Sequence, residues 1–325
     1  MARAERRLSL DRIEAAVGRI DPVFLDTPQF MPEALGEALG LNVALKIETM
    51  NPIRSFKGRG ASLLVARADP AQPLMCASAG NFGQAMAYAC RAAGIPLVIY
   101  AATTANPLKV ERMRALGARV VLHGEDFDGA KDEARRVAAR EGIRFVEDSR
   151  DLEPSEGAGT MALEWLRFSQ PLDALVVPLG NGAMLAGIAT VMTARSPQTR
   201  LVAVQAVGAP AMTESLQTGR RVAHERIDTI ADGIGVRTPV PEALDDLRGL
   251  VDEFLLVDDA TIVRAMRLIH RHVAAVAEPS GAVGVAALLA YPERFRRGLT
   301  GTILCGGNLT PAQMREWLGE EGDRG

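Results

Sequence analysis

Cysteine and histidine are scarce in this sequence, and neither is spaced for a cross-link or a metal site. The three cysteines, Cys76, Cys90 and Cys305, lie far apart without a paired spacing. A disulfide framework is therefore not expected, and a reducing cytoplasm is the natural setting. The four histidines do not show the spacing of a zinc site, so we expect no bound metal. The Gly-x-Ser-x-Gly turn of many serine hydrolases is also missing.

The chain also lacks strong charge and long apolar runs. Its formal net charge is -3, and no basic patch or polybasic run favours nucleic acid or anionic lipid. No uninterrupted apolar segment is long enough to span a bilayer. Residues 1–16 carry charge but lack the apolar core of a signal peptide, so they predict an amphipathic first helix. We therefore expect neither a nucleic-acid partner nor a membrane partner.

What the sequence does have is a regular alternation of strand and helix over 325 residues, enough for two modest domains or one large one. Apolar, β-branched runs predict strands at 43–48, 74–78, 96–102, 118–124, 143–148, 174–180 and 200–207. Amphipathic stretches predict helices between them, among them 58–68, 81–94 and 130–142. Continuous apolar strands are typical of parallel sheets that are buried on both faces, so the pattern indicates an open α/β fold.

Ligands bind at the carboxyl ends of strands in open α/β sheets, and four short glycine-containing loops follow predicted strands. The first loop runs from strand 43–48 to Lys57, which opens a predicted helix. A lysine at a helix start is most often an ordinary surface residue. A helix N-terminus nevertheless disfavours a cation, which suits an amine that must act as a nucleophile toward an aldehyde.

The second and third loops could hold anionic groups on backbone N–H groups. In the second, small residues precede Asn81 at a helix start, and Asn81 could donate a hydrogen bond to a phenolate oxygen. Capping of the helix by Ser78 or Asn81 is the plainer alternative. In the third, residues 180–183 form either a cradle for a phosphate or a simple tight turn. This loop lacks the Gly-Lys-Ser/Thr ending of a P-loop and the third glycine of the dinucleotide fingerprint.

The fourth loop follows a strand that ends at Cys305, where Gly306 and Gly307 turn the chain sharply. A buried thiol at a strand end is usually just a small hydrophobic group. In this loop the thiol could also face a ring nitrogen of a bound ligand.

Taken together, the four loops resemble those of the fold-type II pyridoxal 5'-phosphate enzymes, a family that includes threonine and serine dehydratases and serine racemase. The first loop is similar to the family's Schiff-base motif at Ser55, Phe56, Lys57, Arg59, Gly60 and Ala61. The second is similar to the Ser-x-Gly-Asn loop at Ser78, Ala79, Gly80 and Asn81. The third stands where the family has its phosphate loop, from Gly180 to Met184. The match covers nearly the whole chain, because further dehydratase-like segments occur at 159–165, 231–236 and 278–288.

The resemblance implies an α/β fold with two open, twisted, mostly parallel sheets flanked by helices, as in the β subunit of tryptophan synthase. Residues 1–72 and 151–325 would form a large cofactor-binding domain, and residues 73–150 a small domain inserted into it. The cofactor would lie between the domains, where closure can exclude water. The resemblance also implies a homodimer. We expect no separate C-terminal regulatory domain, because the catalytic fold takes up the whole chain.

The resemblance assigns roles to individual residues. Lys57 would bond to the cofactor as a Schiff base and then act as acid and base at the substrate α-carbon. Phe56 would pack on the cofactor ring, and Cys305 would face its pyridine nitrogen. The cofactor phosphate would be held by the third loop, at Gly180, Asn181, Gly182, Ala183 and Met184. Asn81 would contact the 3-oxygen of the cofactor. The carboxylate of an amino-acid substrate would be held by the second loop, at Ser78, Ala79, Gly80 and Asn81.

The implied reaction is β-elimination, the dehydration and deamination of L-threonine, L-serine or both to a 2-oxo acid and ammonia. A neutral thiol at Cys305 does not keep the ring nitrogen protonated, and the weaker electron sink favours prompt loss of a β-substituent. Serine racemase has a second serine where this chain has Ala79, which cannot carry a proton. We therefore expect elimination without efficient racemisation.

Two departures from the family pattern leave other functions open. Arg54 stands where relatives usually have glycine or a small polar residue. Its side chain is either solvated at the surface or reaches an acidic side chain of the substrate. Phe82 stands where many dehydratases have histidine and would make the pocket more apolar. The alternatives are β-replacement, elimination from 3-hydroxyaspartate or an O-substituted serine, and a nonenzymatic phosphate-binding α/β protein.

Overall fold

The computed structural model describes residues 6–319. Strands and helices alternate in this part of the chain, and none of its helices is long and apolar enough to cross a bilayer. The strands are β1 Gln29–Phe30, β2 Asn42–Ile47, β3 Leu74–Ala77, β4 Leu97–Ala101, β5 Arg119–Leu122, β6 Arg144–Val146, β7 Ala174–Pro178, β8 Arg200–Ala206, β9 Glu253–Val257 and β10 Leu299–Leu304. The helices are α1 Leu10–Ala16, α2 Glu33–Leu39, α3 Lys57–Arg67, α4 Asn81–Ala93, α5 Pro107–Ala115, α6 Phe127–Glu141, α7 Leu152–Trp165, α8 Ala183–Arg195, α9 Ala211–Thr218, α10 Pro241–Leu247, α11 Asp259–Val273, α12 Pro279–Ala290 and α13 Pro311–Leu318.

The strands form two sheets. The large sheet has the order β1-β2-β10-β7-β8-β9, and the small sheet has the order β5-β4-β3-β6. Within residues 6–319, neighbouring strands are parallel apart from the edge pair of β1 with β2. The predicted α/β fold with two mostly parallel sheets is therefore confirmed. β3 and β7 are buried along their whole length, which is why their sequences are continuously apolar.

The small sheet takes its strands from residues 74–146, and the large sheet takes its strands from the segments before and after them. Helix α3 lies between the two groups, because it packs against both α4 and α7. Its residues Leu63 and Leu64 belong to the same core cluster as Leu74 and Cys76 of β3. The division into domains at residues 72 and 150 remains a prediction, since α3 contacts both sides of it.

Helix ends follow local capping rather than the limits of the apolar pattern. α4 ends at Ala93, because Gly94 takes the left-handed conformation at φ 70°. α6 begins at Phe127 rather than at residue 130, because the Asp126 side chain accepts a hydrogen bond from the N–H of Gly129. The predicted first helix over 1–16 begins only at Leu10, and residues 1–5 lie outside the described residues.

Two glycines bring α3 into close contact with α7 and so fix the helix that begins with Lys57. A Cβ atom on Gly157 would lie 2.6 Å from the backbone of Gly60, and one on Gly60 would lie 2.5 Å from Cα of Pro154. Both distances are too short for a real contact, so larger residues would push the two helices apart. The close packing of the two helices thereby fixes the position of α3 relative to α7.

Candidate active site

The first and fourth predicted loops are joined by their backbones. Ser55 and Gly306 form an antiparallel bridge. The N–H of Phe56 donates to the carbonyl of Cys305 at 3.0 Å. These bonds bring Lys57, the next residue in the chain, close to the end of β10.

Lys57 is the first residue of α3, and its side chain is 17% exposed. Its Nζ lies 4.8 Å from the centroid of the Phe56 ring and forms an ion pair with Asp148. Asp148 follows β6, so the pair links α3 to the small sheet. Sequence reasoning missed Asp148, because residues 147–151 form a mostly charged run that resembles exposed surface.

Two residues further along α3, Arg59 is fully buried among charged side chains. It donates to Glu48 at 2.7 and 2.9 Å and to Glu164 at 2.6 and 3.0 Å. Lys46 also pairs with Glu164. Burial alone would raise the pKa of Glu164, but the hydrogen bonds and charges of Arg59 and Lys46 hold it below its usual value. We call these four residues the arginine cluster, and its matched charges anchor the start of α3.

Asn81 is the first residue of α4 and is joined to a buried carboxyl group. Its Nδ2 donates to Glu278 Oε1 at 2.6 Å, and its Oδ1 accepts from Asn308 Nδ2 at 2.8 Å. Glu278 Oε2 also accepts from the backbone N–H of Asn308 at 3.0 Å. We call these three residues the amide cluster. Within the described residues it uses one of the two N–H groups of the Asn81 amide, which leaves the other for a ligand.

Glu278 is a second acidic residue that sequence reasoning missed. Burial raises its pKa to about 7, and the charge of Asp232 adds to this effect, while the charge of Lys109 and the hydrogen bonds that Glu278 accepts oppose it. The carboxyl group can therefore change its protonation state near neutral pH. The sequence contained one hint, because Glu278 directly precedes α12, a helix without charged residues.

In the second loop, the alternative role of Ser78 as a helix cap is in part what the structure shows. Its Oγ accepts hydrogen bonds from the N–H of Gly83 at 3.0 Å and of Gly80 at 3.2 Å. A Cβ atom on Gly80 would meet no heavy atom within 4 Å, so the start of α4 is open. That space suits a substrate carboxylate, and the contacts of the four loop residues with it remain predictions.

The third loop leads into the start of α8 at Ala183. Gly182 takes the left-handed conformation at φ 99°, which a glycine adopts without strain, so this residue allows the turn. No side chain caps the helix, and the first N–H groups of a helix have no acceptor within the helix. An uncapped helix start of this kind suits a phosphate group.

Cys305 directly follows β10, and its thiol lies 3.5 Å from the carbonyl oxygen of Ser280, to which it donates. Burial raises the pKa of the thiol, and the charge of Glu278 adds to the effect. Cys305 is therefore protonated and neutral at physiological pH. The hydroxyl group of Ser280 is buried without a hydrogen-bond partner.

Arg54 and Phe82, the two departures from the family pattern, lie in different surroundings. Arg54 is exposed and has a left-handed backbone at φ 52°, which L side chains rarely adopt. Glycine adopts it without strain, so a glycine would fit this backbone position better than arginine. Phe82 is buried in a core cluster with Leu64 and Met86. Its ring therefore stabilises the packing of α3 on α4.

A cavity of about 530 Å³ lies between α6 and the loop before α10. Glu147 and Arg150, which precede and follow Asp148 in sequence, line one side of it, and residues 238–242 line the other. Lys57 does not line this cavity. The cavity is therefore a neighbour of the four loops rather than the place where they meet.

The residues of the four loops fit pyridoxal phosphate. They offer an amine, an uncapped helix start for the phosphate, an amide N–H and a neutral thiol. Gly306 lets the fourth loop approach the amide cluster closely, since a Cβ atom there would lie 2.2 Å from Glu278 Oε1 and 3.0 Å from Asn81 Nδ2. The unpartnered hydroxyl of Ser280 is a further polar group that a bound molecule could satisfy.

Comparisons with known proteins agree with this arrangement. The family described as pyridoxal-phosphate dependent enzyme matches residues 20–306. The L-threonine ammonia-lyase of Thermotoga maritima is 32% identical over 305 residues, which cover 93% of this chain and 76% of that relative. The chain spans about half the length of two plant relatives, the threonine dehydratases of Nicotiana attenuata (48%) and Solanum lycopersicum (47%).

Solved structures match the chain over both sheets. Maize serine racemase matches with a TM-score of 0.89 and 27% identity, covering 95% of this chain and 96% of that chain. The processed form of threonine deaminase isoform 2 from Solanum lycopersicum matches with a TM-score of 0.88 and 29% identity, covering 96% of this chain and 88% of that chain. The arrangement of the two sheets is thus shared with both of these proteins.

Proposed function

The chain belongs to the family of pyridoxal-phosphate-dependent enzymes, and from this premise we propose that it is an ammonia-lyase for L-threonine, L-serine or both. The products would be a 2-oxo acid and ammonia. Relatives named threonine ammonia-lyase and threonine dehydratase support this reaction. The observation that carries the proposal is the amine of Lys57, which stands where the first and fourth loops join. A homodimer, implied by the family resemblance, and a cytoplasmic location, expected from the unpaired cysteines, belong to the same proposal.

Several side chains are available to hold the cofactor. Bound pyridoxal phosphate supplies an electron sink that lets the substrate α-carbon lose its proton. Lys57 would bond to it, and the start of α8 would hold its phosphate. Asn81 would donate its remaining N–H to the 3-oxygen. Phe56, which packs beside Lys57, would border the ring.

The side chains of this protein favour loss of the β-substituent over racemisation of the substrate. The free amine of Lys57 would accept the α-proton at Nζ. The Cys305 thiol keeps its own proton because burial raises its pKa, so it offers no negative charge to hold a proton on a facing ring nitrogen. The second loop has Ala79, which has no group to move a proton on the opposite face of the substrate. We therefore propose elimination with little racemisation.

Product analysis with a lysine variant tests the proposal. Wild-type protein loaded with cofactor should form ammonia and 2-oxo acid in equal amounts from L-threonine or L-serine, with far less D-serine than ammonia. Lys57→Ala should lower kcat by about a thousandfold or more, because the α-proton loses its acceptor. Lys131→Ala, which removes a lysine of α6, is the matched control and should keep the wild-type rate.

Two results would contradict the proposal. One is turnover by Lys57→Ala at a rate close to that of Lys131→Ala. The other is formation of D-serine from L-serine as fast as ammonia is released, which would require a proton carrier that the second loop lacks.

A further inference from the structure

Asp148 brings a negative charge to the candidate active site. Its carboxylate pairs with Lys57 Nζ, and its side chain is 15% exposed. Its Oδ1 is buried without a hydrogen-bond partner. Within residues 6–319, Asp148 forms an ion pair with Lys57 and with no other residue.

The cations closest to Asp148 in sequence pair with other carboxylates. Arg150 pairs with Glu242 at 3.1 Å, and Arg144 pairs with Asp151 at 3.1 Å. The lysine alone therefore balances the charge of Asp148. In the proposed function, Lys57 accepts the α-proton of a bound substrate, and an amine can do so only in its uncharged form. The carboxylate then faces the substrate without its cation.

Arg54 is the other charged side chain that could select a substrate by charge. Its positive charge would favour an anionic substrate side chain, whereas the negative charge of Asp148 would disfavour one. Arg54 is exposed, so water and salt screen its charge. Asp148 is mostly buried. Two charges interact about four times more strongly at the effective dielectric constant of a protein site than in bulk water. The charge of Asp148 should therefore outweigh that of Arg54.

We infer that Asp148 is a specificity-determining residue that disfavours amino acids with an anionic side chain. It favours a β-substituent that donates a hydrogen bond or is cationic, and the ammonium of Lys57 represents such a group in the structure. The inference rests on the proposed function, because it concerns the substrate of the same site. Among the substrates that the sequence leaves open, it selects serine and threonine over 3-hydroxyaspartate.

Equilibrium binding of unreactive amino acids tests this preference without turnover. L-Asparagine and L-aspartate have nearly the same shape and differ in charge, and neither has a β-hydroxyl group to lose. Their dissociation constants can be read from changes in the visible absorbance of the bound cofactor. Wild-type protein should bind L-asparagine at least about tenfold more tightly than L-aspartate.

Variants at two positions separate the effect of charge from that of shape. Asp148→Asn removes the charge, so the preference for L-asparagine should fall to about threefold or less. Asp148→Glu keeps the charge and should keep the preference. Arg54→Gly removes the exposed charge and should change the ratio by less than about twofold. If Asp148→Asn does not fold, Asp148→Ser takes its place in the same comparison.

The outcomes distinguish this inference from the proposed reaction. The inference is overturned if wild-type protein binds both ligands equally or if the preference is unchanged in Asp148→Asn. In either case, ammonia release from serine or threonine would still support the proposed reaction. Absence of ammonia release, together with a preference that disappears in Asp148→Asn, overturns the reaction and supports the inference.

Discussion

The arginine cluster and the amide cluster both bury carboxyl groups beside the loops of the candidate active site, but their partners differ. In the arginine cluster, hydrogen bonds and positive charge hold the pKa of Glu164 below its usual value despite burial. In the amide cluster, burial raises the pKa of Glu278 to about 7, because the groups that hydrogen-bond to it are neutral amides. A buried carboxylate that is paired with cations stabilises the fold. A buried carboxyl group that is hydrogen-bonded to neutral amides can instead change its protonation state beside the site.

Removing Arg59 from the arginine cluster should have the largest effect on stability. Arg59→Met leaves Glu48 and Glu164 buried without the partner that they share, and such a loss costs about 3–5 kcal/mol. We expect the free energy of unfolding, measured by urea titration, to fall by that amount.

An exposed ion pair provides the control for this prediction. Arg136 pairs with Glu133 on the surface of α6. Exposed pairs contribute little to stability, so Arg136→Met should leave the urea midpoint unchanged. Similar losses in Arg136→Met and Arg59→Met would remove the contrast between buried and exposed charges.

Titration of the amide cluster should have a smaller effect that depends on pH. The folded-state pKa of Glu278 is about 7 and lies above the usual value of 4.5, so the folded protein binds this proton more tightly than the unfolded chain. The stability that results is fully present below pH 4.5. It is lost as the pH rises through the folded-state value, by about 3 kcal/mol in total.

The variant Glu278→Gln isolates this contribution, because it keeps the size of the side chain and cannot titrate. The stability of the variant relative to wild-type protein should rise between about pH 5 and about pH 8. Urea unfolding of both proteins at each pH measures the difference. Parallel curves of unfolding free energy against pH would mean that Glu278 titrates alike in the folded and unfolded chains. The raised pKa that distinguishes the amide cluster from the arginine cluster would then be absent.

The parts of the site that depend on local sequence could be predicted. Small residues directly after apolar strands indicate loops 78–81 and 180–184, because a ligand can approach the backbone only where side chains are small. The ends of the strands were predicted less accurately than these loops. The predicted strand 174–180 ends at Pro178, since the apolar run continues past the last strand hydrogen bond into the loop.

The charged contacts of the site could not be predicted, because they join residues far apart in sequence. Asp148 is 91 residues from Lys57, and Glu278 is 197 residues from Asn81. The order of strands in the two sheets decides which of these residues meet. No local sequence pattern specifies the strand order. The sequence alone therefore does not distinguish a mostly buried residue such as Asp148 from an exposed acidic residue.

The bond between Lys57 and the cofactor can be tested among the four lysines of the chain, Lys46, Lys57, Lys109 and Lys131. Borohydride reduction of the cofactor-loaded protein, followed by peptide mapping with mass spectrometry, marks the amine to which the cofactor is attached. We predict the label on Lys57 alone, with Lys46 unlabelled because it is buried against Glu164. A label on Lys46, Lys109 or Lys131 in place of Lys57 would contradict this prediction.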